Sequence, residues 1–484
     1  MLKIDRKINV KSLLPATGRL LQLSGEKILS LEQSWDPGRG TPVFTAGGRY
    51  TTRGWTEWTR GFQYGSALLQ YDAAGGLEFL KIGLQGTRER MSAHLTHTGS
   101  HDHGFNIVST YGNCLRLCLE GRLPEDLGGS PGERRFYELA LKVSGAVQAG
   151  RWTQLKEGLG FIHSFNGPHS LFADTLRSLR VLALGHLLGQ VLLAEEGRRV
   201  SLLERLLIHA ETTARYNVYS GQGRDSYDIR GRVSHESIFN IKDGCYRCPS
   251  SQQGYSPFST WTRGLAWIVL GYAELLEFLA ALPAAEYKGI TCGGLSGRKQ
   301  FLGRFLEAAR ATADFYLEQT PVDGIPYWDT AAPGLAGLGD YLGRPADPFN
   351  DLEPVDSSAA AIAAQGLLRL GRYLINKGDG AGGRRYFQAG LTVADTLFAE
   401  PYLSTASSHQ GLLLHSVYHR PNGWDYIPRG KKVPCGESSM WGDYHLRELA
   451  LVVRREAENK SWYQFFSGVR RQKPEASGKY ETKS

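Results

Sequence analysis

The strongest constraint on the fold of this chain is a repeated pattern. Roughly a dozen stretches carry apolar residues at helical spacing. Many open on polar or aromatic residues and then run into Leu and Ala, as at Trp58, His101-Asp102, Asp174, Trp261 and Asp356-Ser-Ser. The spacing predicts helices near 10–24, 58–70, 101–119, 134–147, 172–193, 202–216, 261–282, 298–317, 357–375, 382–398 and 439–456. Strand-like alternation is scarce, apart from a short hairpin expected within 223–248. The connections alternate long and short, and the long ones carry aromatics and acids, as in Thr320-Pro-Val-Asp-Gly-Ile-Pro-Tyr-Trp-Asp329. One repeated device would gather such helix starts into a single pocket: a helix pair whose entry loop faces a common centre. A closed ring of pairs does this; an irregular helical bundle with scattered starts is the alternative.

Composition sets the outer bounds. With 484 residues, 41% of them hydrophobic, the chain can bury a large core, and no compositional break divides it. The net charge of +8 is dispersed, and only Arg470-Arg471 with Lys473 forms a local basic run. No nucleic-acid motif accompanies it, so an acidic small substrate is the better match. The start, Met1-Leu-Lys-Ile-Asp-Arg-Lys, lacks an apolar signal core, and no run reads as a membrane span of roughly 18 apolar residues. The expectation is a cytoplasmic monomer or homodimer with neither membrane nor nucleic-acid partner. Of six cysteines, Cys114 and Cys118 lie one helical turn apart in an apolar stretch and read as core. Cys245-Tyr-Arg-Cys248 lacks the second pair that a zinc site needs, so zinc is not expected there.

Three stretches carry the residue types of a reactive site. Ser251 to Trp267 is a polar, amide-rich loop feeding a helix, with Ser259 or Thr260 as candidate caps. Arg263 and Trp267, four apart, share one helical face. An Arg fork beside an aromatic suits a sugar that carries a carboxylate. In His101-Asp-His-Gly-Phe105, Asp102 reads either as an N-cap or as a reactive acid. Asp174, flanked by Leu171, Phe172, Leu176 and Leu179, reads either as a partner of the helix dipole or as a buried acid of raised pKa. A raised pKa is what a general acid near neutrality requires. Asp356 reads first as a cap, and Asp443 as a holder of helix starts. No Walker loop, Gly-x-Ser-x-Gly elbow or His-Glu-x-x-His helix is present, which disfavours phosphoryl transfer, serine esterase and zinc protease chemistry.

In order along the chain, several segments resemble glycoside hydrolase family 88, the unsaturated glucuronyl hydrolases. They are Trp58-Thr-Arg-Gly-Phe62, His101-Asp-His-Gly-Phe105, Asp174 opening its helix, Gln253-Gly-Tyr255, Trp261-Thr-Arg-Gly-Leu-Ala-Trp267, Asp323-Gly-Ile-Pro-Tyr-Trp-Asp329, Asp356-Ser-Ser-Ala-Ala-Ala361 and Trp441-Gly-Asp-Tyr444. The match spans about Trp55 to Leu451. The resemblance implies an all-α six-hairpin (α/α)6 barrel over 51–460, with an N-terminal extension over 1–50 packed on the barrel and a tail over 461–484. It implies release of a 4,5-unsaturated uronic acid from the non-reducing end of lyase-generated oligosaccharides, by hydration of a vinyl ether and without metal or cofactor. By the same resemblance Asp174 is the general acid/base and Asp102 the second carboxylate. Arg263, Gln253 and His235 contact the uronate and the scissile region. Trp58, Trp261 and Trp267 line and stack the sugar, and His101 stands beside Asp102.

Several features depart from the family pattern. Thr175 stands where Asn usually follows the acid, and Arg177 and Arg180 follow on the same helix, where they either face away or lower the acid's pKa. Longer segments at 174–235 and 281–298, and Pro257 in the loop, are expected to act at the wall that reads the leaving sugar. The rivals are an unsaturated galacturonyl-rhamnose hydrolase of the same barrel, a non-catalytic barrel that binds anionic sugars, and a nucleic-acid binder resting on charge alone.

Overall fold

In the computed structural model of the chain, residues 1–54 and 57–469 are described; Trp55, Thr56 and 470–484, with the basic Arg470-Arg471 and Lys473, lie outside the described residues. Six helical segments line the centre of the molecule: Arg60–Ala74, the broken helix over 103–119, the short pair Thr175–Ser178 and Arg180–Leu187, Thr262–Ala281, Ser357–Asn376 and Met440–Ala457. Each packs against the next, and Met440–Ala457 returns to Arg60–Ala74, so the ring closes. Each inner segment also packs against an outer helix. In the same order these are Leu77–Arg90, Pro131–Gly150, Leu202–Tyr216, Gly297–Glu318, Gly380–Leu397 and Leu14–Ser34. This is the expected six-hairpin barrel.

Leu14–Ser34, within the 1–50 extension expected to pack on the barrel, is the outer member of the sixth pair, packed on Met440–Ala457. One correction concerns hydropathy. Among the described residues, Thr262–Ala281 is long and apolar enough to cross a membrane. Its faces are nevertheless buried almost all round by neighbouring helices, as an inner barrel helix requires. The helix expected over 172–193 is shorter. It is preceded by the strand Ser170–Phe172, breaks at Leu179, and gives way to the hairpin Val191–Leu193 and Arg199–Ser201.

Connections from inner to outer helices lie at one end of the ring, and the long returns lie at the other. The returns bring the small β elements. Ser170–Phe172, Glu236–Phe239 and Tyr246–Ser250 form a three-stranded antiparallel sheet, the last two being the expected hairpin. Phe172 pairs with Glu236, and the Ala173 N–H donates to the His235 carbonyl at 2.9 Å, which delivers Asp174 to the start of its helix.

Below the pocket the ring is filled by charge rather than by oil alone. Arg177 bonds Glu274 at 3.1 Å and Glu448 at 2.8 Å, and Arg180 bonds Glu274 at 3.3 Å. Residues 461–469 close this end: Tyr463 is fully buried, its hydroxyl donates to Glu448 at 3.0 Å, and its carbonyl accepts from Arg369 at 3.0 Å.

Candidate active site

The helix starts meet around a cavity of about 600 Å³. His103 and Asn106 come from the 103–119 segment and His101 and Asp102 from its approach, Trp58 from the approach to Arg60–Ala74, and Asp174 from the approach to Thr175–Ser178. Trp261, Arg263 and Trp267 come from Thr262–Ala281 and its cap, and Gln252, Gln253, Tyr418, His419 and Trp424 from the long loops.

A close approach sets the acids side by side. Gly104 rests on the next inner segment so tightly that a Cβ there would lie 1.9 Å from the Ser178 carbonyl oxygen. Asp102 and Asp174 each stand at an N-cap position, and neither side chain caps its helix. The cap reading of Asp102 therefore falls. His101 instead joins the two: its Nε2 lies 3.3 Å from Asp102 Oδ1 and 3.3 Å from Asp174 Oδ2. Ser100 donates to the other Asp102 oxygen at 2.7 Å, while Asp174 Oδ1 is buried without a hydrogen-bond partner.

The electrostatics divide the acids in an unexpected sense. Burial raises the Asp102 pKa, and the neighbouring Asp174 charge adds to the rise against the opposing charge of His101. Asp174 is likewise pushed up by burial, but the His101 charge and that ring's hydrogen bond outweigh this and lower it. The raised acid is thus Asp102, and of the two readings of Asp174 the electrostatics do not favour the buried acid of raised pKa. His101 is disfavoured as a cation by burial, yet its two carboxylates raise it overall. Arg177 and Arg180 do not set the Asp174 shift; their charge is taken up by Glu274 and Glu448 beneath.

Eight of the nine expected residues line the cavity: Trp58, His101, Asp102, Asp174, Gln253, Trp261, Arg263 and Trp267. His235 does not. It stands behind the wall, with ring centroids 4.5 Å from Phe172 and 4.7 Å from Trp261. Its Nδ1 accepts from the Gln252 and Gln253 N–H groups at 3.1 and 3.3 Å, and burial lowers its pKa to about 4, so it is a neutral brace for the loop.

Arg263 is also corrected. It offers no free fork, because Nη1 donates to Asp356 Oδ2 at 2.8 Å and to the Val417 carbonyl. Nη2 donates to Gln253 Oε1 and to the Tyr418 carbonyl, each at 2.8 Å. With Oε1 occupied, Gln253 keeps its amide N–H groups for the cavity. Asp356 caps its own helix through the Ser358 and Ala359 N–H groups, as expected, and pairs with Arg263 besides. Neither Ser259 nor Thr260 caps Thr262–Ala281, whose N-cap is Trp261. Ser259 donates to Asp329 at 2.9 Å, and the same carboxylate oxygen accepts from the Tyr255 N–H at 2.9 Å, which pins the recognition loop.

Sequence reasoning missed Glu57, Asn106, Phe165, Phe172, Tyr418, His419 and Trp424 on the wall. Asn106 was within reach, since it lies four residues after Asp102 and so shares its helical face. Phe172 ends the short strand Ser170–Phe172, and the others come from loops, where no period marks them. The longer connection over 281–298 leaves the far end of Thr262–Ala281, and none of its residues lines the cavity, so its expected role at the leaving-sugar wall is corrected.

Comparisons with known proteins agree with this geometry. The unsaturated glucuronyl hydrolase of Formosa agariphila is 24% identical over 403 residues, covering 81% of this chain and 78% of that protein. The chain is a homologue of the unsaturated glucuronyl hydrolases. The one from Bacillus sp. strain GL1 is 26% identical over 239 residues, 49% of this chain and 50% of the relative. The crystal structure of an unsaturated glucuronyl hydrolase from Bacillus sp. GL1, described as degrading glycosaminoglycan, superposes with a TM-score of 0.65 at 22% identity, over 91% of this chain and 97% of the other. A mutant unsaturated glucuronyl hydrolase from Streptococcus agalactiae, complexed with dGlcA-GalNAc6S, gives 0.61 at 18% identity, over 96% and 98%. No family model matches the chain.

Proposed function

We propose that this protein is a glycoside hydrolase that releases 4,5-unsaturated uronic acid from the non-reducing end of lyase-generated oligosaccharides. The observation that carries the reading is the His101–Asp102–Asp174 cluster, buried at His101 and Asp174, in an aromatic-walled cavity. A merely anion-binding barrel gains nothing from two carboxylates placed there. The Bacillus and Streptococcus neighbours, of the same fold, and the Formosa homologue support the same assignment.

The reaction asks for a proton at C4 of the vinyl ether and water at C5. The hemiketal so formed opens and expels the remaining sugar. Burial and the adjacent Asp174 charge raise the proton affinity of Asp102, the two carboxylates raise that of His101, and the His101 ring lowers that of Asp174. An arriving uronate adds negative charge and displaces water, and both raise the proton affinity of the cluster. His101 Nε2, within 3.3 Å of both acids, is the route by which Asp174 gains the proton it delivers to C4. The Asp174 carboxylate then takes a proton from the water that adds at C5, which restores the acid. Trp58 and Trp261 supply apolar walls for the ring, and Gln253 donors for its oxygens. We place the reaction in the cytoplasm, a reading supported by six unpaired thiols.

The test uses lyase-generated unsaturated disaccharides from hyaluronan, chondroitin, heparin, alginate, xanthan and pectin, followed by the ultraviolet absorbance of the conjugated enol carboxylate. Wild type is expected to bleach the signal on at least one, and Asp174→Asn to slow that by roughly 100-fold or more. No bleaching by wild type on any of them would overturn the assignment.

A further inference from the structure

The cavity has a polar mouth that the hydration chemistry does not use. Arg53 is exposed there, and its guanidinium carbon lies 4.9 Å from the Trp424 ring centroid and 5.6 Å from that of Tyr418. Its Nη2 donates to the Trp424 carbonyl at 3.3 Å. Among the described residues no carboxylate forms an ion pair with it, whereas Arg263, the other guanidinium on the wall, is bonded to four internal acceptors. The shelf beneath Arg53 is built rather than incidental. Asp425 accepts from the Tyr418 and His419 N–H groups, and Trp424 packs on His419 at 4.8 Å and on Tyr418 at 5.3 Å. Trp424 is nevertheless 40% exposed, while Asp174 at the base is 6% exposed. The shelf and the acids line one cavity, so a pyranose held at the acids would direct its linked sugar toward this exposed rim.

We infer that Arg53, laid on the Tyr418–Trp424 shelf, binds an anionic substituent, a sulfate or a carboxylate, on the sugar that leaves. The inference rests on the hydrolase reading above and names its preferred substrates. A guanidinium held against aromatic rings gives up little freedom on binding, and its remaining N–H donors match planar or tetrahedral oxyanions. A neutral leaving sugar gains only the aromatic contact.

The test compares unsaturated disaccharides of one linkage that differ only in sulfation of the reducing sugar. Wild type is expected to prefer the sulfated member. Arg53→Gln is expected to lose roughly 10- to 100-fold in kcat/KM on it, through KM, and no more than a few-fold on the neutral one. Arg53→Lys, which keeps the charge without the fork, should fall between. Equal losses on both substrates would overturn the inference, because Arg53 would then serve the uronate itself or the fold. An unchanged ratio in an active Arg53→Gln would also overturn it, leaving the hydrolase reading intact. Failure of wild type on every disaccharide would overturn both.

Discussion

Glu57 shows how one residue on the cavity wall carries a measurable charge history. Burial raises its pKa to about 7, with the nearby Asp102 charge adding to the rise and a backbone hydrogen bond and Arg53 opposing it. A carboxylate raised in the folded state binds its proton more tightly there than in the unfolded chain. Between about pH 4.5 and 7 the folded state therefore holds a proton that the unfolded chain has lost. Stability from this group is present below that window, falls as pH rises through it, and is level above about 7. Glu57→Gln, which cannot ionise, should show a smaller drop in urea midpoint from pH 5 to pH 8 than wild type. An identical drop in both would remove Glu57 from the account. At the same scale, the residue types of the acids and aromatics were legible in the sequence. The occupancy of Arg263 was not, because its partners Asp356, Val417 and Tyr418 lie 93 to 155 positions away.

Among the helices, the decisive event is the seating of the 103–119 segment on the Thr175–Ser178 turn. With Ser178 O only 1.9 Å from a Cβ at position 104, Gly104→Ala must push the two segments apart. The expected cost is about 1–3 kcal/mol of stability, since the obstacle is backbone rather than a flexible side chain. Activity should fall further, by about 100-fold, because His101 would no longer reach both acids. Full activity in a folded Gly104→Ala variant would show that the 3.3 Å contacts are dispensable. Apolar periodicity found nearly every barrel helix because packing on two sides demands it. It missed Leu77–Arg90, where five of the fourteen residues are charged and the buried Phe79, Leu80 and Leu84 form a thin stripe on an outer helix. It overran at 172–193 because strand, helix and hairpin there share one apolar composition. The cap expected of Ser259 and Thr260 failed for a related reason: their hydroxyls serve Asp329 and Val233 across the loop, a choice set by distant chain.

At the level of the whole molecule, the buried charges below the pocket separate two kinds of ion pair. Arg177 and its partners Glu274 and Glu448 are almost wholly excluded from solvent. Arg177→Met would leave two carboxylates underneutralised in the core, at an expected cost of about 3–5 kcal/mol. Arg19 and Glu400, 3.8 Å apart and more than half exposed, are worth less than about 1 kcal/mol. Urea unfolding of Arg177→Met and Arg19→Ala should separate by that margin, and equal midpoints would mean the core network relaxes around its loss. The ring that encloses this network is sealed by segments from opposite ends of the described chain. Arg447 donates to Ser24 Oγ at 2.7 Å across 423 positions, and Lys27 donates to the His409 carbonyl at 2.7 Å across 382. During synthesis, Leu14–Ser34 leaves the ribosome long before Met440–Ala457 exists to receive it. Until then the apolar faces of up to five inner segments stand without their last neighbour, exposed to self-association. The Arg263 wall, which waits for Asp356, Val417 and Tyr418, is thus among the last parts of the pocket to form, well after the chain that carries both reactive acids has been made.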